Sequence, residues 1–285
     1  MNRQQSFQNN KAILYVISTP IGNLNEITPR VIQAINDSSC IFCEDTRVTG
    51  QLLSHLNIKK PLISAYENIE KQSSAKVIEL LNNNENVAFM SDAGYPGISD
   101  PGQLVIQEVI KNNFNVVVIN GPCALIQSVV ASGFATNHFY FYGFLNAKQS
   151  ARVKELEALK EFKDTIIFYQ SPHKILSCLE DMLAVLGDRQ ICLCRELTKK
   201  YEEYIRGNIS EIIPICETLK GEMVLVVEGY KETKKESMSL DDCIMLVDEK
   251  IEEGLSTKEA IKIVSLENNI NKKDLYQYYH NKKGE

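Results

Sequence analysis

No stretch of the 285-residue chain approaches the roughly 20 uninterrupted apolar residues that span a bilayer. The first ten residues are polar, without the apolar centre of a secretory signal. The expectation is a soluble chain with no membrane partner, cytoplasmic by default. Glycine and proline are sparse, at 14 and 8, which sets collagen-like and low-complexity classes aside. Positive charge is not in excess: 31 Lys and Arg stand against 37 Asp and Glu, a net charge of −6. No global cationic field therefore draws the chain to nucleic acid, and any RNA must be met by local patches. No second CxxC or CxH pair accompanies Cys40 and Cys43, and Ile41 and Phe42 fill the gap between them. That pair reads as core strand, with no metal site expected. The 8 cysteines, mostly inside apolar runs, read as reduced, buried side chains. A GxGxxG is missing too, which excludes the dinucleotide fingerprint and the common Gly-rich methyltransferase loop.

What is present is a globular composition, 44% hydrophobic, 24% charged and 8% aromatic, at a length that predicts about two domains. Short β-rich runs alternate with longer amphipathic segments, the pattern of strands joined through crossover helices. Residues 13–18, 40–43, 62–66, 87–91 and 116–119 read as strands whose continuous hydrophobicity predicts parallel pairing with both faces covered. Thr28 and Pro29 mark a helix start, a side-chain cap followed by a residue with no N–H to lose.

From Phe139 the rhythm changes to alternating aromatics, with further strands at 165–169, 190–194 and 223–227, a second α/β domain. Residues 231–239 read as a linker. Beyond it, Ile244, Val247 and Ile251 recur at helical spacing, Ser256 with Glu259 forms a capping box, and Asn271 with Asp274 looks like a similar cap. The expected organisation is a flexible tail over 1–10, an α/β domain over 11–136, a second over 137–230, the linker, and a helical module over 240–285. That module is either helix-turn-helix-like or a plain helical appendage.

In open parallel sheets, ligands bind beyond the carboxyl ends of the strands. Three loops there carry unusual chemistry. The first, Ser18-Thr19-Pro20-Ile21-Gly22-Asn23, lets backbone pass close to a small molecule. The second, SDAGYPGISDPG over 91–102, holds three Gly, two Pro and two Asp in twelve residues, too costly in entropy for a plain connector. Its bland reading makes Asp100 and Pro101 the opening of a helix. The third, Gly121-Pro122-Cys123-Ala124, sits at a strand-to-helix junction with free N–H groups. Beside them Glu44-Asp45-Thr46-Arg47 ends the second strand; it reads equally as functional carboxylates or as a helix cap with a local ion pair.

Taken in order, LYVISTPIGNLNEIT, CEDTR, SDAGYPGISDPG, GPCA, FYGFL, SPHK, CRELTKKYEE and KGEMVLVVEG resemble the tetrapyrrole methylase superfamily, within it the branch that methylates a ribose 2′-hydroxyl of a cytidine in 16S ribosomal RNA. The resemblance runs from Ile13 to about Gly229. It implies two α/β domains with S-adenosylmethionine in the cleft between them, a homodimer, and 16S ribosomal RNA, in the 30S subunit, as partner. It implies donor contacts by Pro20, Gly22, Asp92, Gly94, Ile98, Ser99, Cys123 and Ala124, with Tyr169 and Met223 from the second domain. Tyr95 stands where relatives carry a smaller residue, and Gln170 and Lys174 replace the Glu and Arg usual around SPH.

The sulfonium activates its own methyl, which leaves the protein to align a ribose oxygen and to supply a base. Glu44, Asp45, Asp100 and Glu196 are the candidates, with Glu44 and Asp45 preferred. Arg47, Lys174, Arg195 and Lys199 are the expected RNA contacts, with Lys148, Arg152, Lys200 and Arg206 as flanking cations. His173 reads as structural. A macrocycle methylase and a non-catalytic S-adenosylmethionine-binding regulator are the alternative functions.

Overall fold

The computed structural model describes residues 3–66, 70–232, 238–268 and 270–284. The chain forms two compact units, Met1–Tyr230 and Lys231–Glu285. The expected linker at 231–239 lies largely outside the described residues.

The first unit contains two five-stranded sheets. In the first, β1 (Ile13–Ile17), β2 (Cys40–Cys43), β3 (Leu62–Ser64), β4 (Val87–Met90) and β5 (Asn115–Ile119) run parallel in the order β3-β2-β4-β1-β5. The continuous apolar runs have the predicted cause. Leu14 and Val16 of β1 enter one buried cluster, while Ile13, Tyr15 and Ile17 enter another on the opposite face. Helices α1 (Pro29–Asp37), α2 (Thr46–His55), α3 (Glu70–Asn82) and α4 (Gln103–Lys111) make the crossovers, and α5 (Ala124–Ser132) leads to the second sheet. Thr28 caps α1 by accepting from the Val31 N–H, with Pro29 at the first helical position.

Several strand bounds shift: β1 and β4 each stop one residue early, and the strands expected at 165–169 and 190–194 each run one residue further. The third strand stops at Ser64, and β5 begins one residue early because Asn115 is buried and bonded to Asn9. Residues 3–10, expected as a flexible tail, are instead tied to this edge. Gln4 donates to the Val116 carbonyl at 2.8 Å and accepts the Val116 N–H at 3.1 Å. A carboxamide thus stands in for a neighbouring strand on an open edge.

The second sheet holds β6 (Phe139–Phe144), β7 (Thr165–Gln170), β8 (Gln190–Arg195), β9 (Glu203–Asn208) and β10 (Met223–Val227), in the order β6-β7-β10-β8-β9. Only β6 and β7 are parallel; the other pairs are antiparallel. The aromatic alternation of β6 breaks at a register shift between Phe141 and Gly143. One face of this sheet packs on α6 (Gln149–Ala158), α7 (Ile175–Leu186) and α8 (Ile209–Cys216). The other face, through Ile167, Cys192, Cys194, Val224 and Val226, receives Leu125 and Val129 of α5, which joins the two sheets into one body.

All eight cysteines are free; seven are buried and Cys123 is half-buried. No described helix is long and apolar enough to cross a membrane.

The second unit contains α9 (Leu240–Glu252), α10 (Thr257–Glu267) and α11 (Lys272–Lys283) around Ile244, Val247, Ile261, Val264, Leu275 and Tyr279. The Ser256–Glu259 capping box forms as read, and Asn271 caps α11 by accepting from the Lys273 N–H. Lys282 and Lys283 are paired within the unit to Asp241 and Asp248.

Candidate functional site

The order β4-β1-β5 places the three unusual loops side by side, and specific bonds stitch them together. Thr19 and Gly94 exchange backbone hydrogen bonds at 2.9 and 3.1 Å, which joins the loops after β1 and β4. The Ser18 hydroxyl donates to the Pro122 carbonyl at 2.8 Å, joining the loops after β1 and β5. The Tyr95 hydroxyl accepts the Gly121 N–H at 3.1 Å, closing the ring between the loops after β4 and β5. The larger residue at position 95 thus earns its size by reaching a third loop. The backbone is bent to this end: Gly94 and Gly97 lie at φ +76° and +81°, and Ser99, without glycine's freedom, at +62°.

These loops form one wall of a cleft of about 230 Å³, and the second sheet forms the other. Ile98, Ser99, Cys123, Ala124, Tyr169 and Met223, all expected at the donor site, line it. Four other expected contacts do not. Gly94 is spent in the pairing with Thr19, and Gly22 is covered by the stem of Lys199. Pro20 and Asp92 line a neighbouring hollow with Val48, Thr49 and Leu52 of α2. Their chain neighbours Ile21, Ala93 and Tyr95 face the cleft instead, because successive residues in an extended turn point in opposite directions. Asp100, Phe144, Gln170, Leu197, Glu222 and Val224 complete the lining. Apart from Asp100, which sequence reading weighed as a base, these were missed. Phe144 in FYGFL, Leu197 in CRELTKKYEE and Glu222 in KGE lay in motifs that could have pointed to them, and Gln170 directly precedes SPHK.

The EDTR segment resolves largely toward its structural reading. Asp45 is the N-cap of α2, accepting the Arg47 N–H at 2.8 Å and pairing with the Arg47 guanidinium at 2.6 Å. Those bonds hold its carboxyl down at about 2. A carboxylate so stabilised is a poor proton acceptor, and the geometry favours the cap and ion-pair reading of Asp45 over a base. Glu44 does not line the cleft; burial and then Asp92 push its carboxyl upward. Asp92 accepts the Asp45 N–H at 3.1 Å, tying the ends of β2 and β4. Asp100 does not cap α4 as its bland reading had it. That helix is opened by Gly102, and its Gly102 and Leu104 N–H groups both donate to Glu70 of α3 at 2.9 Å.

Burial, then the like charges of Glu44 and Asp92, raise Asp100 to about 6. Burial chiefly raises the Tyr169 phenol to about 12, leaving a neutral hydroxyl in the cleft.

Several expected cations are engaged elsewhere. Arg152 is buried, paired with Asp181 at 2.6 Å and bonded to the Asn146 and Ala147 carbonyls. Its reading as a flanking cation for RNA is corrected. Arg195 binds Glu203 and the Lys220 carbonyl, and Lys199 binds Glu196 at 3.1 Å and Glu222 at 2.7 Å. Lys200 and Arg206 lie over Tyr201 and Tyr204. Arg47 is 87% exposed, and Lys174 and His173 are exposed in a 3-10 turn after β7.

Two α/β sheets enclosing a cleft at the carboxyl ends of a parallel sheet define the class. The chain belongs to the Tetrapyrrole (Corrin/Porphyrin) Methylases, whose family model matches residues 13–213. Over nearly its whole length it is similar to proteins called ribosomal RNA small subunit methyltransferase I. That of Bacillus subtilis is 41% identical across 98% of this chain and 99% of its own. That of Haemophilus influenzae is 40% identical across 93% and 95%. Among solved structures, a uroporphyrin-III-C-methyltransferase of Thermus thermophilus shares the fold at a TM-score of 0.55 and 16% identity, covering 76% of this chain and 94% of that one. A diphthine synthase does so at 0.58 and 12%, covering 76% and 90%.

Proposed function

We propose that this protein transfers a methyl group from S-adenosylmethionine to the ribose 2′-hydroxyl of a cytidine in 16S ribosomal RNA, acting in the cytoplasm as a homodimer on the 30S subunit. The observation that carries the reading is the coincidence of the stitched three-loop cleft with 41% identity, over 98% of the chain, to a ribosomal RNA small subunit methyltransferase.

The cleft suits the donor. Ile21, Ile98, Leu197 and Met223 offer apolar surface for an adenine ring. Cys123 makes no side-chain cap on α5, which leaves the first N–H groups of that helix to a polar ligand edge. Ile98, Ser99, Cys123, Ala124, Tyr169 and Met223 would hold the donor directly. Pro20, Gly22, Asp92 and Gly94 would act through the loop conformation they support. When bound, the donor supplies a methyl already activated by its sulfonium.

On the RNA side, Phe144, 58% exposed at the cleft, offers a face for an unpaired base, held edge-on by Tyr169 at 5.6 Å between ring centroids. Arg47 and Lys174 are the cations best presented to phosphate. Arg195 and Lys199, with carboxylate partners, serve the local architecture first. Glu44, beside Asp92, remains near enough to the cleft's charges to tune them.

Mass spectrometry of 16S RNA from cells with and without the gene tests the reading, together with transfer by the purified protein to 30S subunits lacking the mark. The expected result is one cytidine losing a ribose methyl in the deleted strain and regaining it in vitro. An unchanged methylation pattern would reject it. Transfer to a tetrapyrrole alone would support the macrocycle alternative, and donor binding without transfer would support a regulator. Light scattering in solution checks the dimer.

A further inference from the structure

Of the carboxylates gathered at the carboxyl edge of the first sheet, all but one are committed. Asp45 is bound by Arg47 and caps α2. Asp92 accepts the Asp45 N–H, and Glu44 lies against the Asp92 backbone, outside the cleft lining. From the second sheet, Glu222 is paired with Lys199, and Glu196 holds both Lys199 and the Glu222 N–H at 3.1 Å. Asp100 differs. It lines the cleft beside Ser99 and Tyr169, is partly buried, and has no hydrogen-bond donor among the described residues. The left-handed backbone of Ser99, at φ +62°, precedes it, a strain that a plain connector would have no reason to keep.

We propose that Asp100 is the catalytic base that takes the proton from the acceptor hydroxyl, an inference that rests on the ribose methyl transfer proposed above. The O–H bond breaks with its proton passing to an Asp100 carboxylate oxygen, and the freed electron pair forms the new O–CH3 bond. The S–CH3 bond breaks with its electrons going to sulfur, so the donor's positive charge is cancelled and a neutral thioether leaves. Asp100 then gives its proton to water. The groups facing it favour the role. Glu44 from β2 and Asp92 from the loop after β4 repel its negative charge, and Tyr169 from β7 presents a neutral phenol. Burial, then Glu44 and Asp92, bring the carboxyl to about 6, close enough to neutrality for efficient proton transfer while leaving it ionised at pH 7.

The test compares Asp100→Asn and Asp100→Glu with the wild type on 30S subunits lacking the mark. Single-turnover transfer is expected to fall about 10²- to 10⁴-fold in Asp100→Asn. Asp100→Glu is expected to recover part of the loss, and the Kd for S-adenosylhomocysteine to stay within about tenfold. The wild-type rate should rise with pH and level off above about 6, a bend absent from Asp100→Asn.

A second readout needs no turnover. Because the folded carboxyl sits above its ordinary value of 3.8, ionising it works against the fold, so stability is lost as pH rises from about 4 to about 6. Asp100→Asn should therefore gain in melting temperature over the wild type across that window. Wild-type transfer rates in Asp100→Asn, or the same bend and no melting window, would overturn the assignment while leaving the methyl transfer standing. A wild type that transfers no methyl to 30S subunits would instead overturn the function, and this inference with it.

Discussion

The stem of Lys199 lies directly over Gly22, so closely that a Cβ at Gly22 has no room, and the Lys199 ammonium beyond it binds Glu196 and Glu222. A residue read as a donor contact and a residue read as a phosphate contact thus meet each other. They form a strap from the loop after β8 to the loop after β1, on the rim of the cleft. Gly22 also sits at φ +155°, which a side chain rarely adopts.

Gly22→Ala should lower stability by about 1–3 kcal/mol, the usual cost of overpacking, and should weaken donor binding. Lys199→Ala added to it should restore part of the stability, since it removes the obstructing stem. Denaturant unfolding and calorimetry of the four proteins check this; a double variant no better than Gly22→Ala would place the cost in the backbone alone.

Arg152 and Asp181 form an ion pair whose side chains are 6% and 9% exposed. Removing one partner strands the other charge in the core. Asp181→Ala should therefore cost about 3–5 kcal/mol in chemical denaturation. RNA affinity of the folded fraction should not change, because Arg152 presents no charge to the surface.

Glu70 supplies the cap that α4 lacks, and with it the end of the 91–102 loop. Glu70→Ala leaves two N–H groups unpaired and should cost about 1–2 kcal/mol. Donor affinity should fall with it, since Ile98, Ser99 and Asp100 depend on that loop. Thermal unfolding and S-adenosylhomocysteine titration measure the two effects separately.

Asp45, held at about 2 by Arg47, stabilises the fold in its ionised form. That contribution is present above the ordinary carboxylate value and is lost as pH falls from about 4 to about 2. Asp45→Asn should melt below the wild type at pH 7, and the difference should close over that window. A kcat loss with an unchanged melting temperature at pH 7 would return Asp45 to the chemistry.

RNA binding should weaken steeply with salt, and Lys174→Gln should reduce the slope of log affinity against log salt by about 1. Filter binding across salt concentrations decides it. An unchanged slope would exclude Lys174 from phosphate contact.

Much of this was legible in the residues. Continuous apolar runs in β1, β2 and β4 announced a parallel sheet because both faces are buried. Thr28-Pro29 and Ser256–Glu259 announced helix starts because capping is local chemistry. The strand β9 was not legible: EYIRGN is a polar edge with no wholly buried position, and only its antiparallel pairing with β8 makes it a strand.

Periodicity, caps and glycine-rich punctuation depend on near neighbours, so the class of fold and the loops that matter could be read from the residues alone. What each polar residue in those loops does emerges only once the chain has folded. Whether a carboxylate is a cap, a tie or a free group depends on partners far along the chain: Asp92 is tied to Asp45 and Lys199 to Glu222, while Asp100 is left alone in the cleft. Hydrogen bonding and burial over such separations set charge and reach, and neither is written in local spacing.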